Sequence, residues 1–351
     1  MINRREAVLN HVSIHYIGNE LQNETSVFSS MPLDISEEIL YHQLLSFFTD
    51  NFKEPEFYQF QPLTDSLDEN FMYSMISSLF DKKDSFHAES IEMAKWLLSF
   101  SKHHFIHSGE LMVCKIQNLF LNDTIIDAVG IFKIENKENF FTLSRTGDDN
   151  LTLNGEVGIN QQKLDKACLI FNMDKDNGFT ILNVDHSNRN RDAKYWREDF
   201  LRIGPKKDGY HNTKQFIHLT KEFVNERLTK QFDADKTVQA QVMQRSLDYF
   251  QKEEKFDQEE YAARIFKEDK IVEAFREFKT DFENYKQIEL SEEFDISNQA
   301  VQKQGRVFKS VIKLDKNFHI YVHGNKNMIK KGVDDDGRKY YVLYYLSLIH
   351  I

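Results

Sequence analysis

Cysteine, proline and long apolar runs are all scarce in this 351-residue chain, and each scarcity removes a class of protein. The only cysteines, Cys114 and Cys168, sit inside the apolar runs LMVCKI and KACLIF. That placement predicts buried free thiols instead of a disulfide framework, and with it a reducing cytoplasm. No apolar run approaches membrane-spanning length, and the opening MINRREAVLNHVSIHYIG has no apolar core behind its basic residues, so neither a membrane anchor nor a signal peptide is expected. Proline is confined to Pro32, Pro55, Pro62 and Pro205, which leaves little room for long irregular linkers. The signatures of catalysis are missing too: there is no HExxH, paired CxxC, GxSxG, GxGxxG or GK[ST]. No catalytic residue, metal site or cofactor is therefore expected, and no internal repeat or low-complexity tract appears.

What is present is a globular chain, 40% hydrophobic and long enough for two cored domains. Alternation over Ala7 to Ile17, then Gly18, Asn19 and a β-prone piece from Thr25 to Phe28, predicts an opening hairpin. A helix follows, with an acidic first turn at Glu38 and apolar residues at Ile39, Leu40, Leu44, Leu45, Phe47 and Phe48. A second helix is expected over Ser90 to Lys102, and the acidic, aromatic stretch between the two has no readable period. From Glu110 come three strand runs, LMVCKIQNLFL, IIDAVGIFKIE and NFFTLSRT, joined by connections too short for helical crossovers, so the sheet is antiparallel. KACLIFNM and FTILNVD form another hairpin, turning at Asp176, Asn177 and Gly178. Four helices should follow. They are marked by Phe216 to Leu228, by Val238, Val242 and Leu247, by Asp257 and Glu260 capping a helix through Tyr261, and by Ile271, Phe275 and Phe278. KSVIKL, FHIYVH and RKYYVLYY return to β structure, with a turn at Asp336-Gly337.

The fold class is thus α+β: an N-terminal antiparallel sheet with helices, then a helical subdomain and a C-terminal β-ribbon. Its expected divisions are residues 1–187, a basic aromatic connecting segment 188–213, helices over 214–295, a basic β element over 296–345, and a tail, 346–351.

Charge is unevenly spread. Over residues 303–331 eight cations, Lys303, Arg306, Lys309, Lys313, Lys316, Lys326, Lys330 and Lys331, face the single anion Asp315, in a chain of net charge −11. One basic element on an otherwise acidic molecule is what phosphate-backbone binding requires, because lysine and arginine drive such association by releasing counterions. The bland alternative is a solvated ribbon whose lysines only protect its edges. A second basic stretch carries Arg189, Arg191, Lys194, Arg197, Arg202, Lys206, Lys207 and Lys214 around Tyr195, Trp196 and Tyr210. Its aromatics have the composition of a base-stacking surface. Trp196, Phe200 and Leu201 are nevertheless expected to pack between the domains, leaving the arginines for phosphate.

Other constellations are weaker. His103 and His107 are one helical turn apart, the spacing of two zinc ligands, but a third ligand is missing and a helix C-terminus accounts for them more simply. Asp127, Glu135 and Lys137 match the D…ExK pattern with which restriction-like nucleases hold magnesium, although ExK arises readily by chance in a charged chain. NMDKDNG misplaces the glycine of a calcium loop, and GPKKDG lacks the ending of a phosphate loop.

Four long segments, in order, carry a family resemblance: GELMVCKIQNLFLNDTIIDAVGIFKIENKENFFTL, FNMDKDNGFTILNVD, AKYWREDFLRIGPKKDGYHNTKQFIHLTKEFVNE, and FKSVIKLDKNFHIYVHGN through KGVDDDGRKYYVLYY. Together they resemble the bacterial nucleoid-associated proteins of the NdpA type. The resemblance implies a cytoplasmic protein of the nucleoid that binds DNA and has no enzymatic activity or cofactor; it supplies no set of contact residues. The closing LSLIHI departs from the family pattern and looks like translated sequencing adapter. The resulting expectation is a non-enzymatic homodimer on double-stranded DNA. Its candidate contacts are Lys303, Arg306, Lys309, Lys313, Lys326, Lys330, Lys331, Arg189, Arg191, Arg202, Lys206 and Lys207. An acidic adaptor docking a DNA-metabolising protein is the main alternative.

Overall fold

A computed structural model describes residues 2–53, 55–81, 85–102, 106–146, 150–186, 194–308, 310–313, 319–322 and 329–345. The tail 346–351 and the candidates Arg189, Arg191, Lys309 and Lys326 lie outside the described residues, as do His103 and His104. The chain divides into two compact units, Met1–Lys206 and Lys207–Ile351.

The first unit is built on a nine-stranded antiparallel sheet. Its strands are β1 (Ile2–Asn3), β2 (Val8–Ile17), β3 (Val27–Phe28), β4 (Phe57–Phe60), β5 (Gly109–Leu121), β6 (Thr124–Ile134), β9 (Lys166–Phe171), β10 (Thr180–Asp185) and β11 (Ile203–Pro205). They run β11-β4-β10-β9-β6-β5-β2-β3, with β1 added to β5. β5, β6 and β9 are apolar on both sides, so the sheet is covered on both faces, which antiparallel sheets commonly are not. Side-chain alternation sorts the faces. Leu111, Val113, Val129, Ile131, Cys168 and Ile170 join the core beneath α2 (Phe71–Asp81) and α3 (Phe86–Phe100). Met112, Cys114, Ala128, Phe132 and Leu169 join the core beneath α1 (Glu38–Thr49), where Phe48 and Phe132 meet at 4.6 Å between ring centroids. Cys114 and Cys168 therefore lie on opposite faces; both are free, and burial raises both thiols far above their ordinary range.

The turn joining β9 to β10 closes through Gly178 at φ +93, a conformation side chains resist, and a Cβ there would fall 2.4 Å from the Phe60 carbonyl oxygen. β7 (Glu138–Arg145) pairs with β8 (Leu151–Gly158) as a separate two-stranded ribbon.

The second unit is helical, then β. α4 (Gly209–Phe223) continues through a π-turn, Val224–Leu228, into α5 (Thr229–Gln231). α6 (Lys236–Lys252), α7 (Gln258–Phe266), α8 (Asp269–Lys286) and α9 (Asn298–Lys303) follow, and β12 (Lys255–Asp257) pairs with β13 (Glu293–Asp295). Asp208, Asp235, Asp257 and Ser297 each cap a helix by accepting a backbone N–H. Phe223, Tyr261, Phe266 and Phe275 form the centre, and the Tyr261 hydroxyl hydrogen-bonds Thr220 at 2.7 Å and Ser246 at 2.6 Å. The terminal β element consists of two ribbons, β14 (Ser310–Lys313) with β15 (His319–Val322) and β16 (Ile329–Val333) with β17 (Lys339–Leu343). No helix among the described residues is long and apolar enough to cross a membrane.

Candidate nucleic-acid interface

The described basic residues of the terminal segment lie on short elements of the second unit. Lys303 ends α9 and is exposed, and Arg306 lies in the 3-10 turn that follows. Lys313 closes β14 opposite His319, while Lys330 and Lys331 are consecutive on β16, opposite Val342 and Tyr341. Lys330 is exposed, with its ammonium 5.4 Å from the centre of the Tyr344 ring.

Three candidates of the second basic stretch have partners within the fold. Lys206 reaches Asp174 at 2.8 Å and Thr180 at 2.7 Å, bracing the turn before β10. Hydrogen bonds from Lys206 and Asn177 hold the Asp174 carboxyl below the usual carboxylate range. Lys207 pairs with Glu289 at 3.1 Å. Arg202 takes a left-handed backbone (φ 53) and lies half-buried, its guanidinium carbon 6.0 Å from the Trp96 ring centre.

The aromatics of this stretch lie in a π-helix, Tyr195–Leu201. Trp196, Phe200 and Leu201 belong to the first unit's own core instead of a seam between domains; Trp196 donates to the Asn183 side chain at 3.2 Å. Tyr195, Trp196 and Tyr210 are all buried, so none offers a face to a base.

Tyr195 instead completes a buried polar cluster that periodicity alone misses. Lys133 donates to the His107 carbonyl at 2.5 Å, to Glu135 at 3.0 Å and to the Tyr195 oxygen at 3.1 Å, and Tyr195 donates to Glu135 at 2.6 Å. Lys166 pairs with Asp185 at 2.8 Å, and its ammonium lies 5.1 Å from the Tyr195 ring centre. Asp165 accepts the backbone N–H groups of Glu135 and Asn136. Burial pushes the Glu135 carboxyl upward, but Lys133, the Tyr195 hydroxyl and Lys166 outweigh it and the net shift is downward. The signal was present in VGIFKIE, where a lysine interrupts an apolar strand and a glutamate follows on the same face.

This geometry dismantles the nuclease pattern. Glu135 is spent on Lys133 and Tyr195, and Lys137 pairs with Glu110 at 2.5 Å. Asp127, eight residues back along extended chain, is roughly 26 Å from Glu135 at about 3.3 Å per residue, too far to share an ion. Asp127 accepts the Asn118 N–H at 3.3 Å. Of the zinc spacing, His107 lies beyond the end of α3 at Phe100 and outside any helix, while His103 lies outside the described residues. No group of three or more metal-ligating side chains occurs among the described residues.

What remains is a chain whose residues 303–351 carry ten cations against four anions. No curated protein matches it. A family model described as nucleoid-associated protein YejK matches residues 13–337, nearly its whole length, across both units. The chain belongs to the family of the nucleoid-associated protein YejK.

Proposed function

We propose that the protein is a non-enzymatic DNA-binding protein of the cytoplasmic nucleoid, a homodimer that contacts the phosphate backbone of duplex DNA with little sequence preference. The observation that carries this reading is the distribution of charge. Residues 1–206 hold 20 lysines and arginines against 31 acids, the chain's whole net charge of −11, so the second unit is neutral. Within that neutral unit, residues 303–351 hold ten cations against four anions, leaving the helices before them acidic. Such a molecule repels a polyanion over most of its surface and admits it at one element. Backbone contact suits the absence of a recognisable helix-turn-helix or zinc finger from the sequence.

A homodimer is supported by the β7–β8 ribbon. Phe141, Leu143 and Leu151 are each at least 70% exposed there, and Leu153 and Val157 are exposed beside them. An isolated two-stranded ribbon is only marginally stable, and a long apolar edge invites a further strand. A second copy meets both requirements.

The acidic first unit and acidic helices favour one rival, an adaptor that reaches DNA only through a basic DNA-metabolising partner. Fluorescence anisotropy of a labelled duplex at several salt concentrations separates the two. Direct binding gives an affinity falling log-linearly with salt at about −0.9 per phosphate contact, whereas an adaptor alone forms no complex.

A further inference from the structure

On the β16–β17 hairpin, residues opposite one another share a face, so Tyr340, Val342 and Tyr344 line up beside Gly332 and Lys330. Tyr340 is 47% exposed and Tyr344 51%, and each ring has a neighbour on β16. The Tyr340 ring lies across Gly332, where an added Cβ would sit 2.3 Å from its ζ carbon, so only glycine leaves the ring that seat. The Tyr344 ring has the Lys330 ammonium 5.4 Å from its centre, within cation–π range. Two aromatic faces thus stand about 13 Å apart along extended chain, with Val342 between them and a cation against one. The contrast with β7–β8 is chemical. That ribbon exposes phenylalanine, leucine and valine with Arg145 as its one cation, whereas β16–β17 exposes Tyr340 between the exposed Lys330 and Lys339, with Val333 and Leu343 also exposed, and lies within residues 303–351, which hold ten cations against four anions.

We propose that the face formed by Tyr340, Lys330 and Tyr344 is a stacking site for unpaired nucleobases, so that the protein holds single-stranded nucleic acid as well as duplex. The proposal rests on the DNA-binding reading above and deepens it. Every base presents a π-face to an aromatic ring, so such a site tolerates any sequence, and the lysine beside the ring meets the phosphates between stacked bases. Duplex DNA keeps its bases stacked on one another and meets only the cations.

The test is anisotropy of the full chain with a 20-nucleotide oligo(dT), an oligo(rU) of equal length and a duplex. Three proteins are compared: wild type, Tyr340→Leu/Tyr344→Leu and Tyr340→Phe/Tyr344→Phe. Leucine keeps the hairpin apolar and strand-compatible, and phenylalanine keeps the π-face. Wild type is expected to bind oligo(dT), the Leu variant to bind it at least tenfold more weakly with duplex affinity unchanged, and the Phe variant to bind as wild type. Oligo(rU) distinguishes RNA from DNA as the source of the bases, and binding of either supports the site. Duplex binding without oligonucleotide binding, or equal oligonucleotide affinity in the Leu variant, overturns the stacking site alone. Failure to bind any of the three nucleic acids refutes the DNA-binding reading itself. A Leu variant whose main change is loss of the dimer in sedimentation assigns the face to a second copy and overturns the site as well.

Discussion

Lys133 and Glu135, two positions apart where β6 ends, form a 3.0 Å ion pair with both side chains almost wholly removed from water. Neither charge has a solvent to fall back on, and Tyr195 closes the pair from the π-helix that leads into β11. Glu135→Ala leaves the Lys133 ammonium buried without its counter-charge and is expected to cost about 3–5 kcal/mol. Replacing both by Lys133→Met/Glu135→Leu should cost clearly less than the sum of the single changes, because a matched apolar pair carries no desolvation penalty. Urea unfolding followed by tryptophan fluorescence checks this. Trp96 and Trp196 are the only tryptophans and both lie in the first unit, so the signal reports that unit alone.

His15 ties three elements together, accepting the Ser29 N–H at Nδ1 (3.2 Å) and bonding Ser90 of α3 through Nε2 (3.0 Å). Burial, and then the neighbouring His87, lower its pKa from 6.5 to about 4. Its folded-state pKa is depressed, so the unfolded chain binds the extra proton first. The contribution is complete above pH 6.5 and is lost as pH falls toward 4, by about 3 kcal/mol in all. The first unit's melting temperature should fall across that window, and His15→Gln should flatten the fall. A wild-type profile level from pH 6.5 to 4 would contradict the buried, neutral assignment.

Phe141 and Leu143 are among the most exposed apolar side chains of the β7–β8 ribbon. Phe141→Asp/Leu143→Asp should leave far-UV circular dichroism unchanged, since exposed positions contribute little to the fold of one copy. Sedimentation should show the mass falling from dimer to monomer. A dimer that persists unchanged would remove the ribbon from the interface.

Much of the architecture was readable because long apolar strand runs and helical periodicity survive in long segments. The runs beginning at Leu111 and Ile125 match β5 and β6, and Phe216, Leu219 and Phe223 mark the buried stripe of α4. Shorter elements escaped. β4 has four residues, too few to display alternation, whereas α2 (FMYSMISSLFD) does carry a stripe, Met72, Tyr73, Ile76 and Leu79 buried opposite Ser74, Ser77, Ser78 and Asp81, in only eleven residues. β8 and β16 were missed for different reasons: LTLNGEVG alternates Leu151, Leu153 and Val157 with Thr152, Asn154 and Glu156 but has Gly155 where the pattern wants an apolar residue, and IKKGV is interrupted by two consecutive lysines. The expected packing of Trp196 between domains failed because its partners, Asn183 and Phe200 among them, come from the first unit. The buried cluster was invisible to hydropathy, which treats every lysine as solvated, while Lys133 and Lys166 are fully buried. For the site, charge counting found the basic terminal element but could not tell that Lys206 and Lys207 are paired with Asp174 and Glu289.

The central claim, direct binding of duplex phosphates by the basic C-terminal segment, is tested most directly by the salt dependence of affinity in wild type and in Lys303→Glu/Lys330→Glu/Lys339→Glu. All three lysines are exposed. The reversals should leave the fold intact while weakening binding to every duplex sequence alike. The slope of log affinity against log salt should become shallower by up to about 0.9 for each lost contact. A folded variant with the affinity and slope of the wild type would contradict the account.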